Sequence, residues 1–329
     1  MATIFLTGGT GFIGSHLAEA LVKDGHTVRA LVRSDPKWLD GVAVETVRGD
    51  LSNPGLLRET LRGVDVVYHV AGLTRAPLGP AGDAALHDAN VTATTDLLDA
   101  VLDASPDARV VVTSSLAAVG KRPSSGVADE ATPLRPISRY GASKAAMEAA
   151  IRPYFDRLRM TVVRPPAVYG PREADIFTVF QTAAKYRLFA VVGDPKPLAL
   201  TLVHVRDLVS GYRLAAQERA VGGTYFFGSE RDYSWAEIRD ATAKALGHRL
   251  ATLRIPKALV VPIGTLVERI GRMAGQYPPL NREKALEIRD ACTRCDSGRA
   301  IVELGYDPSV DLEKGLAETI RWYRENGWL

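Results

Sequence analysis

Thr7-Gly8-Gly9-Thr10-Gly11-Phe12-Ile13-Gly14 decides the fold of this 329-residue chain. The stretch follows an apolar run at 2–6 and leads into Ser15-His16-Leu17-Ala18-Glu19-Ala20-Leu21-Val22, so the order is strand, tight turn and helix. Glycines permit a sharp turn and a close approach of the backbone to a pyrophosphate, which the helix N-terminus binds through unpaired N–H groups. An ordinary β-turn is the alternative interpretation, but this context favours a dinucleotide site. The expected cofactor-binding residues here are Gly8, Gly11, Phe12, Ile13 and Gly14.

Composition limits the possible partners of the chain. Hydrophobic residues make up 46% of it, enough for one large domain or two ordinary ones. The net charge of +3 is small for this length and no basic cluster is interleaved with aromatic residues, so nucleic acid is not an expected partner. No apolar run approaches the roughly 18 residues that span a membrane. No leader precedes the first strand, so we expect a cytoplasmic protein.

Apolar strands and helical patterns alternate through the first half of the chain. Val, Ile and Leu dominate the strands, as expected when helices cover both faces of a parallel sheet. Strands are predicted at 27–32, 43–47, 65–70, 109–113 and 161–163, and helices at 12–24, 54–62, 82–104 and 138–158. This alternation predicts an α/β fold with a doubly wound parallel sheet, the Rossmann arrangement.

The alternation lapses after about residue 164, where Pro165-Pro166 and Gly170-Pro171 are typical of loops. A second, smaller region begins there, with Asp207 expected to cap one of its helices. Its helices are predicted at 174–187, 207–219, 234–246, 257–273, 281–289 and 312–325, and its strands at 202–205, 224–227 and 250–254. We therefore expect a dinucleotide-binding domain at 1–165, to which the chain returns at about 203–228, and a mainly substrate-binding domain at 166–329.

Tyr140-Gly-Ala-Ser-Lys144 places a phenol and an ammonium one helical turn apart, on the same face of a helix. A phenol normally titrates near ~10, so it is a poor base at neutral pH unless a positive charge favours its ionised form. Lys144 is a candidate for that charge. An exposed, solvated helix face is the alternative for the pair alone, but the glycine-rich turn and Ser115 upstream favour a catalytic site.

The order of motifs resembles the extended short-chain dehydrogenase/reductase family, also called the NAD-dependent epimerase/dehydratase family. The order of motifs is closest to that of the branch of 3β-hydroxysteroid dehydrogenases and dihydroflavonol reductases. The resemblance covers nearly the whole chain. Besides the glycine-rich turn, the resemblance rests on Gly49-Asp50-Leu51, Tyr68-His69-Val70-Ala71-Gly72, Asn90-Val91, Thr113-Ser114-Ser115, Tyr140 to Lys144, Arg164-Pro165-Pro166-Ala167-Val168-Tyr169-Gly170-Pro171 and His204-Val205-Arg206-Asp207-Leu208. It implies that Asp50 and Leu51 contact adenine, that Ala71 and Gly72 line the cofactor, and that Pro166 and Val168 meet its carboxamide.

The resemblance also implies a catalytic set of Ser115, Tyr140 and Lys144. Tyr140 would exchange the proton of a substrate alcohol or ketone while a hydride moves to or from nicotinamide. Lys144 would lower the pKa of the phenol and hold the nicotinamide ribose, and Ser115 would bind the same substrate oxygen. Ser114 is not expected to take part. Three functions remain open: a dehydrogenase or reductase, a nucleotide-sugar epimerase or dehydratase, and a non-catalytic protein that senses NAD(P).

The end of the second strand bears on the choice of cofactor, because an acidic residue there binds the adenosine ribose in proteins that prefer NAD. This chain has Arg33 at that place, with Lys37 nearby. A guanidinium pairs bidentately with a phosphate. We therefore expect NADP rather than NAD, although Arg33 stacked on adenine or exposed to solvent would leave NAD in place.

Leu200 bears on the substrate. Nucleotide-sugar enzymes of the family usually carry an arginine at this position, four residues before the histidine of the His-Val-x-Asp-Leu motif. Burial of a diphosphate without a cation is costly, so the neutral Leu200 favours an apolar alcohol or ketone, sterol-like, flavonoid-like or other. Arg172 and Arg206 are the alternative sources of positive charge.

The predicted helix 257–273 is amphipathic, with an apolar row that includes Leu259, Leu266 and Ile270. Packing against the core is one interpretation. A lid over a hydrophobic ligand or contact with a membrane surface are the others, since the segment is too short and too charged to span a bilayer.

Cys292 and Cys295 have the Cys-x-x-Cys spacing but no further cysteine or histidine nearby, so we expect incidental thiols and no metal site. The family further implies a homodimer, with helices 82–104 and 138–158 of each subunit forming a four-helix bundle.

Overall fold

A seven-stranded parallel sheet forms the centre of the protein in this computed structural model, which describes residues 1–273 and 281–329. Its strands are β1 (Thr3–Thr7), β2 (Thr27–Val32), β3 (Glu45–Arg48), β4 (Val66–His69), β5 (Arg109–Thr113), β6 (Arg159–Val163) and β11 (Thr224–Tyr225). They lie in the order β11-β6-β5-β4-β1-β2-β3, and every neighbouring pair is parallel. The predicted doubly wound Rossmann fold is thereby confirmed.

Helices cover both faces of this sheet. They are α1 (Phe12–Lys23), α2 (Pro54–Leu61), α3 (Pro80–His87), α4 (Ala93–Ala104), α5 (Leu116–Val119), α6 (Arg139–Ile151) and α8 (Val205–Ala215). Along β1, Ile4 and Leu6 pack with residues of α1 and α8, whereas Phe5 between them packs with α2, α4 and α6. Alternate side chains of a strand therefore pack into two separate cores, the first with α1 and α8 and the second with α2, α4 and α6. This explains why the strands are apolar throughout.

The rest of the chain forms short strand pairs and helices. They are β7 (Ala167–Tyr169), α7 (Phe177–Tyr186), β8 (Leu188–Val192), β9 (Leu198–Leu200), β10 (Leu202–His204), β12 (Tyr233–Ser234), α9 (Trp235–Leu246), β13 (Ala251–Ile255), α10 (Lys257–Met273), α11 (Arg282–Asp290), α12 (Gly298–Leu304) and α13 (Leu312–Glu325). Strand β7 pairs with β10, β8 with β13, and β9 with β12. A third core gathers residues of α7, α9 and α13, and Leu200 is one of its buried members.

Two predicted helices differ from the observed ones. The segment 82–104 is not one regular helix, because a π-helical turn, Asp88–Thr92, separates α3 from α4. The predicted helix 138–158 ends at Ile151 and passes into a 3₁₀ turn, Arg152–Tyr154. Pro153 explains this end, since proline has no N–H to continue the helix and restricts the residue before it.

The expected helix cap at Asp207 was wrong. Helix α8 begins at Val205, and its cap is His204, whose Nδ1 accepts the N–H of Arg206 at 3.3 Å. The carboxylate of Asp207 instead accepts the N–H groups of Ser309 and Val310 at 3.3 and 3.0 Å. Asp207 therefore joins α8 to the segment before α13, a contact between residues about a hundred positions apart.

Candidate active site and cofactor cradle

The glycine-rich turn between β1 and α1 is too tight for side chains. Gly8 has φ +76°, and a Cβ on it would lie 2.6 Å from the backbone nitrogen of Ala71. A Cβ on Gly14 would lie 2.2 Å from the carbonyl oxygen of Gly8. Gly11 closes the turn by donating its N–H to that same carbonyl at 3.0 Å. The sequence therefore requires glycine at these places for the turn itself, whatever binds above it.

The N-terminus of α1 has the features of an anion site. Gly11 is its N-cap residue and, within the described part of the chain, no side chain caps the helix and no acid lies in its first turn. The side chains of Phe12 and Ile13 pack against the first core. The N–H groups of the first turn have no partner within the helix, because every α-helix leaves its first N–H groups unpaired. A pyrophosphate fits such an end, because the unpaired N–H groups and the helix dipole both favour negative charge.

Tyr140 lies in the first turn of α6, and Ser115 lies at the start of α5. Ser138 caps α6 by accepting the N–H of Gly141 at 3.1 Å, and Ser115 caps α5 by accepting the N–H of Ala117 at 3.1 Å. Burial raises the pKa of the Tyr140 phenol to about 12, and a hydrogen bond with Ser115 opposes this rise. The structure thus brings these two predicted residues into contact, and the phenol is protonated at neutral pH.

Lys144 is buried one turn further along α6, with only 2% of the residue exposed. Its Nζ donates to the carbonyl oxygen of Thr113 at 2.8 Å. Burial lowers the pKa of Lys144 to about 8, and the charge of Glu148 opposes this effect. The expected lowering of the Tyr140 pKa by Lys144 does not appear: burial raises this pKa, and it is the hydrogen bond with Ser115 that opposes the rise.

The space in front of Lys144 is kept open by Gly72. A Cβ at this position would lie 3.1 Å from Nζ of Lys144 and 3.0 Å from Oδ1 of Asn90. Asn90 lies on the π-helical turn, where it accepts the N–H of Leu73 and donates to the carbonyl oxygen of Leu73, both at 2.8 Å. Asn90 therefore holds the segment that carries Ala71 and Gly72 in place, close beside the ammonium of Lys144.

A buried ion pair supports α6, the helix that carries Tyr140 and Lys144. Arg164, which follows β6, contacts Glu148 of α6 at 2.6 Å, with 7% and 11% of the side chains exposed. Ser114 donates to the same carboxylate at 2.5 Å. Ser114 is thus engaged in this pair. Glu148 was missed because nothing in the sequence joins it to Arg164.

The residues expected to bind the adenosine part of the cofactor follow strands β2 and β3. Arg33 is exposed directly after β2, and its charge contributes to the lowered pKa of Asp50 after hydrogen bonds from Ser52. The Asp50 carboxylate accepts the N–H and the hydroxyl of Ser52 at 2.9 and 2.6 Å. Leu51 is half-buried against the second core. Arg33 is therefore near enough to Asp50 for its charge to act on that carboxylate.

Pro166 and Val168 lie on the opposite side, next to Ser115. The carbonyl oxygen of Pro165 accepts the N–H of Leu116 at 2.9 Å, which joins this segment to the start of α5. Val168 lies on β7 opposite Val203. The segment that carries Pro166, expected near the carboxamide, is thus hydrogen-bonded to the segment that carries Ser115, expected near the substrate oxygen.

Arg172 and Arg206, the alternative sources of positive charge for a substrate diphosphate, both have other partners. Arg172 contacts Ser15 at 3.0 Å and Glu19 at 2.5 Å, both on α1. Arg206 pairs with Glu318 of α13 at 2.6 Å. These contacts leave neither arginine as a ready partner for a substrate diphosphate.

Cys292 and Cys295 are free and buried, and burial raises the pKa of both thiols. Across residues 1–273 and 281–329, no group of three or more side chains is arranged to hold a metal ion. Within the same residues no helix combines the length and apolarity needed to cross a bilayer.

Comparison with known proteins agrees with this geometry. Residues 4–228 match the NAD dependent epimerase/dehydratase family, and the chain belongs to that family. It is an NAD(P)-dependent oxidoreductase of the extended short-chain type.

Three similar proteins show the range of the family. The chain is 31% identical to a ceramide reductase of Caulobacter vibrioides, over 99% of this chain and 96% of that protein. It is also 31% identical to sterol demethylase protein B of Methylococcus capsulatus, over 99% and 100% of the two chains. The structure of a dTDP-glucose 4,6-dehydratase from Streptomyces venezuelae with NAD bound superposes with a TM-score of 0.77, at 28% identity over 99% and 98% of the chains.

Proposed function

We propose that this protein reduces a ketone, or oxidises the matching secondary alcohol, on a largely apolar substrate. The observation that carries the proposal is the position of the Tyr140 phenol, in the first turn of α6 and beside Ser115 at the start of α5, where burial raises the pKa of the phenol to about 12. A phenol that keeps its proton at neutral pH suits a general acid that completes the reduction of a carbonyl.

Each residue of the proposed catalytic set has a separate task. A bound nicotinamide cofactor would supply or accept the hydride. Tyr140 donates the proton to the carbonyl oxygen as that oxygen gains negative charge. Ser115 donates a hydrogen bond to the same oxygen and so orients it. The ammonium of Lys144 stabilises negative charge on Tyr140 after the transfer and donates to a ribose hydroxyl in the space beside Gly72.

The proposed substrate class rests on the neutral Leu200, on the partners of Arg172 and Arg206, and on the relatives. Leu200 is buried in the third core, and Arg172 and Arg206 are held by Glu19 and Glu318. A ceramide and a sterol are the compounds in the names of two similar proteins. We therefore propose a lipid-like ketone or alcohol in preference to a nucleotide sugar.

Reduced-nicotinamide absorbance tests this proposal. The protein is mixed with NADPH or NADH and with separate sterol, ceramide-like and flavonoid ketones, while UDP- and dTDP-sugars are incubated with NAD⁺ or NADP⁺ and analysed for epimers and dehydration products. Net oxidation of the cofactor with an apolar ketone supports the proposal. Conversion of a nucleotide sugar without net cofactor turnover would instead assign the activity of the dehydratase that the fold resembles, and cofactor binding without conversion of any compound would indicate a sensor.

NADP is the proposed cofactor, and Arg33→Ala is expected to weaken NADPH binding by about 10- to 100-fold while leaving NADH binding nearly unchanged. The reason is the loss of a charge-assisted contact to the 2′-phosphate, worth about 1.5–3 kcal/mol. Fluorescence titration of both cofactors measures the two Kd values. Arg62→Ala is the matched control, because Arg62 is also exposed but follows α2. Equal Kd values for NADPH and NADH in the unaltered protein would contradict NADP preference.

Ketone reduction is expected to slow as the pH rises above about 8. Burial lowers the pKa of Lys144 to about 8 and raises that of Tyr140 to about 12. Lys144 therefore loses its proton first, while Tyr140 still holds the proton it donates. The pH dependence of kcat/KM reports groups of the free enzyme, so it should fall with an apparent pKa near that of Lys144. Lys144→Arg keeps the charge and is expected to remove this fall; an unchanged fall in that variant would assign it to another group.

The domain division, oligomeric state and location complete the proposal. We propose that residues 1–165, with the return at 203–228, bind the cofactor, and that 166–329 mainly bind the substrate. The sites proposed for the cofactor are those of the sequence prediction. We further propose a cytoplasmic homodimer formed through the segments 82–104 and 138–158, where α6 presents small side chains such as Ala142 and Ala149 to solvent. A single-chain mass by light scattering would contradict the dimer.

A further inference from the structure

Helix α10 has one side packed and one side exposed. On the packed side, a Cβ on Gly264 would lie 2.6 Å from Cβ of Ala285, so α10 contacts α11 closely. On the opposite side lie four large apolar residues, each at least 50% exposed. We call this the α10 face, and it consists of Leu259, Leu266, Ile270 and Met273.

The spacing of these residues makes the α10 face continuous. Steps of seven, four and three residues bring side chains back to the same side of a helix. Single exposed apolar residues are ordinary on protein surfaces. A row of four along one helix is a surface for a partner, and nothing in the described part of the chain packs over it.

The charge around the α10 face indicates what that partner is. Residues 249–273 contain five Lys or Arg and one acid, Glu268, a net charge of +4 in a chain whose total is +3. Arg254, Lys257 and Arg269 are exposed, and Arg269 lies beside Ile270 at the edge of the row. The carboxylate of Glu268 accepts the N–H of Arg282 at 2.9 Å. An apolar row with cations around it suits the interface of a bilayer that contains anionic lipids.

The same helix pair reaches the catalytic helix. Glu283 of α11 accepts the N–H of Arg139 at 2.6 Å, at the first residue of α6. The next residue is Tyr140. The charge of Glu287, one turn further along α11, contributes to the raised pKa of Tyr140. The packing therefore links the α10 face to the edge of the catalytic site through α11.

We propose that the α10 face docks on an anionic phospholipid bilayer and that the apolar substrate enters the site from the lipid. This inference rests on the proposed function for the identity of the substrate, but the docking itself does not. It differs from a packing helix in that the four residues are predicted to insert among the lipid headgroups, with Arg254, Lys257 and Arg269 near the phosphates.

Cosedimentation with vesicles tests the docking. The unaltered protein is expected to bind vesicles of phosphatidylcholine with about one-quarter phosphatidylglycerol, and to bind pure phosphatidylcholine or the mixed vesicles at high salt more weakly. The double variant L266E/I270E should lose about tenfold or more in binding, since it removes two apolar contacts and adds negative charge. Val302→Glu is the matched control, because Val302 is 85% exposed on α12, outside the α10 face.

Each other outcome overturns the docking. Absence of binding by the unaltered protein, or equal loss in L266E/I270E and Val302→Glu, excludes a bilayer at this face. A dimer that becomes a monomer only in L266E/I270E would assign the α10 face to a second copy of the chain. Circular dichroism and NADPH binding of each variant establish that it is folded.

Activity separates this inference from the proposed function. On a short, water-soluble ketone without vesicles, L266E/I270E should match the unaltered protein, because the α10 face takes no part in the chemistry. On an apolar ketone held in the mixed vesicles it should be about tenfold slower, in line with its weaker binding. No turnover of any ketone by the unaltered protein, with vesicle binding intact, would reject the proposed reaction and leave the docking standing.

Discussion

Tyr140→Phe is expected to lower kcat for ketone reduction by about 10² to 10⁴. The substitution removes one oxygen and with it the proton that completes the reduction. The ring stays, so the packing around α6 is retained. Because the phenol has a pKa of about 12, it is protonated over the whole ordinary range of assay pH. The phenol of the unaltered protein should therefore remain a proton donor across that range, and single-turnover oxidation of NADPH compares the chemical step in the two proteins directly.

The control for Tyr140→Phe is Tyr306→Phe. Tyr306 is also buried, and its hydroxyl donates to the carbonyl oxygen of Gly228 at 2.8 Å. Its loss is expected to cost about 1 kcal/mol of stability and to leave kcat nearly unchanged. NADPH binding should be close to normal in both variants. Full activity in Tyr140→Phe would reject the assignment of the general acid, whereas a loss of cofactor binding would indicate that the phenol holds the cofactor in place.

The residues proposed for catalysis could be selected from the sequence because the relation between two of them is local. Tyr140 and Lys144 share one face of a helix by spacing alone. The glycine-rich turn is likewise fixed by its neighbours in the chain. The family resemblance then supplied the pairing with Ser115, which no local pattern contains. The central sheet could likewise be predicted from the alternation of strands and helices. The short strands β7, β8, β9 and β12, which lie in separate two-stranded sheets, were missed, since two to five residues carry little periodicity.

The electrostatics of the site were less predictable, because they depend on tertiary packing. From the sequence, Lys144 is expected to lower the pKa of Tyr140, but burial raises it. Asn90 and Leu73 are joined through a π-helical turn that has no sequence signature in this chain. Burial and such long-range contacts follow only from the assembled fold.

The support of the catalytic helix is the second place where a large effect is expected. Glu148→Ala should lower the free energy of unfolding by about 3–5 kcal/mol, because it leaves the guanidinium of Arg164 buried without its charge partner. The pair lies at 2.6 Å with 7% and 11% of the side chains exposed, so water does not replace the lost carboxylate. Ser114 loses its acceptor as well. Urea unfolding measures the change.

Two further variants show whether burial of the charge is the cause. Glu45→Ala breaks an exposed pair with Arg29, whose side chains are 60% and 28% exposed, and should cost less than about 1 kcal/mol. The double variant E148L/R164M removes both charges and should be more stable than Glu148→Ala, since apolar residues of similar size often replace a buried pair without loss. Equal destabilisation in Glu148→Ala and the double variant would mean that the lost contacts, and not the unpaired Arg164, account for the effect. Retention of most kcat in folded E148L/R164M would further separate the support of α6 from the chemistry of Tyr140.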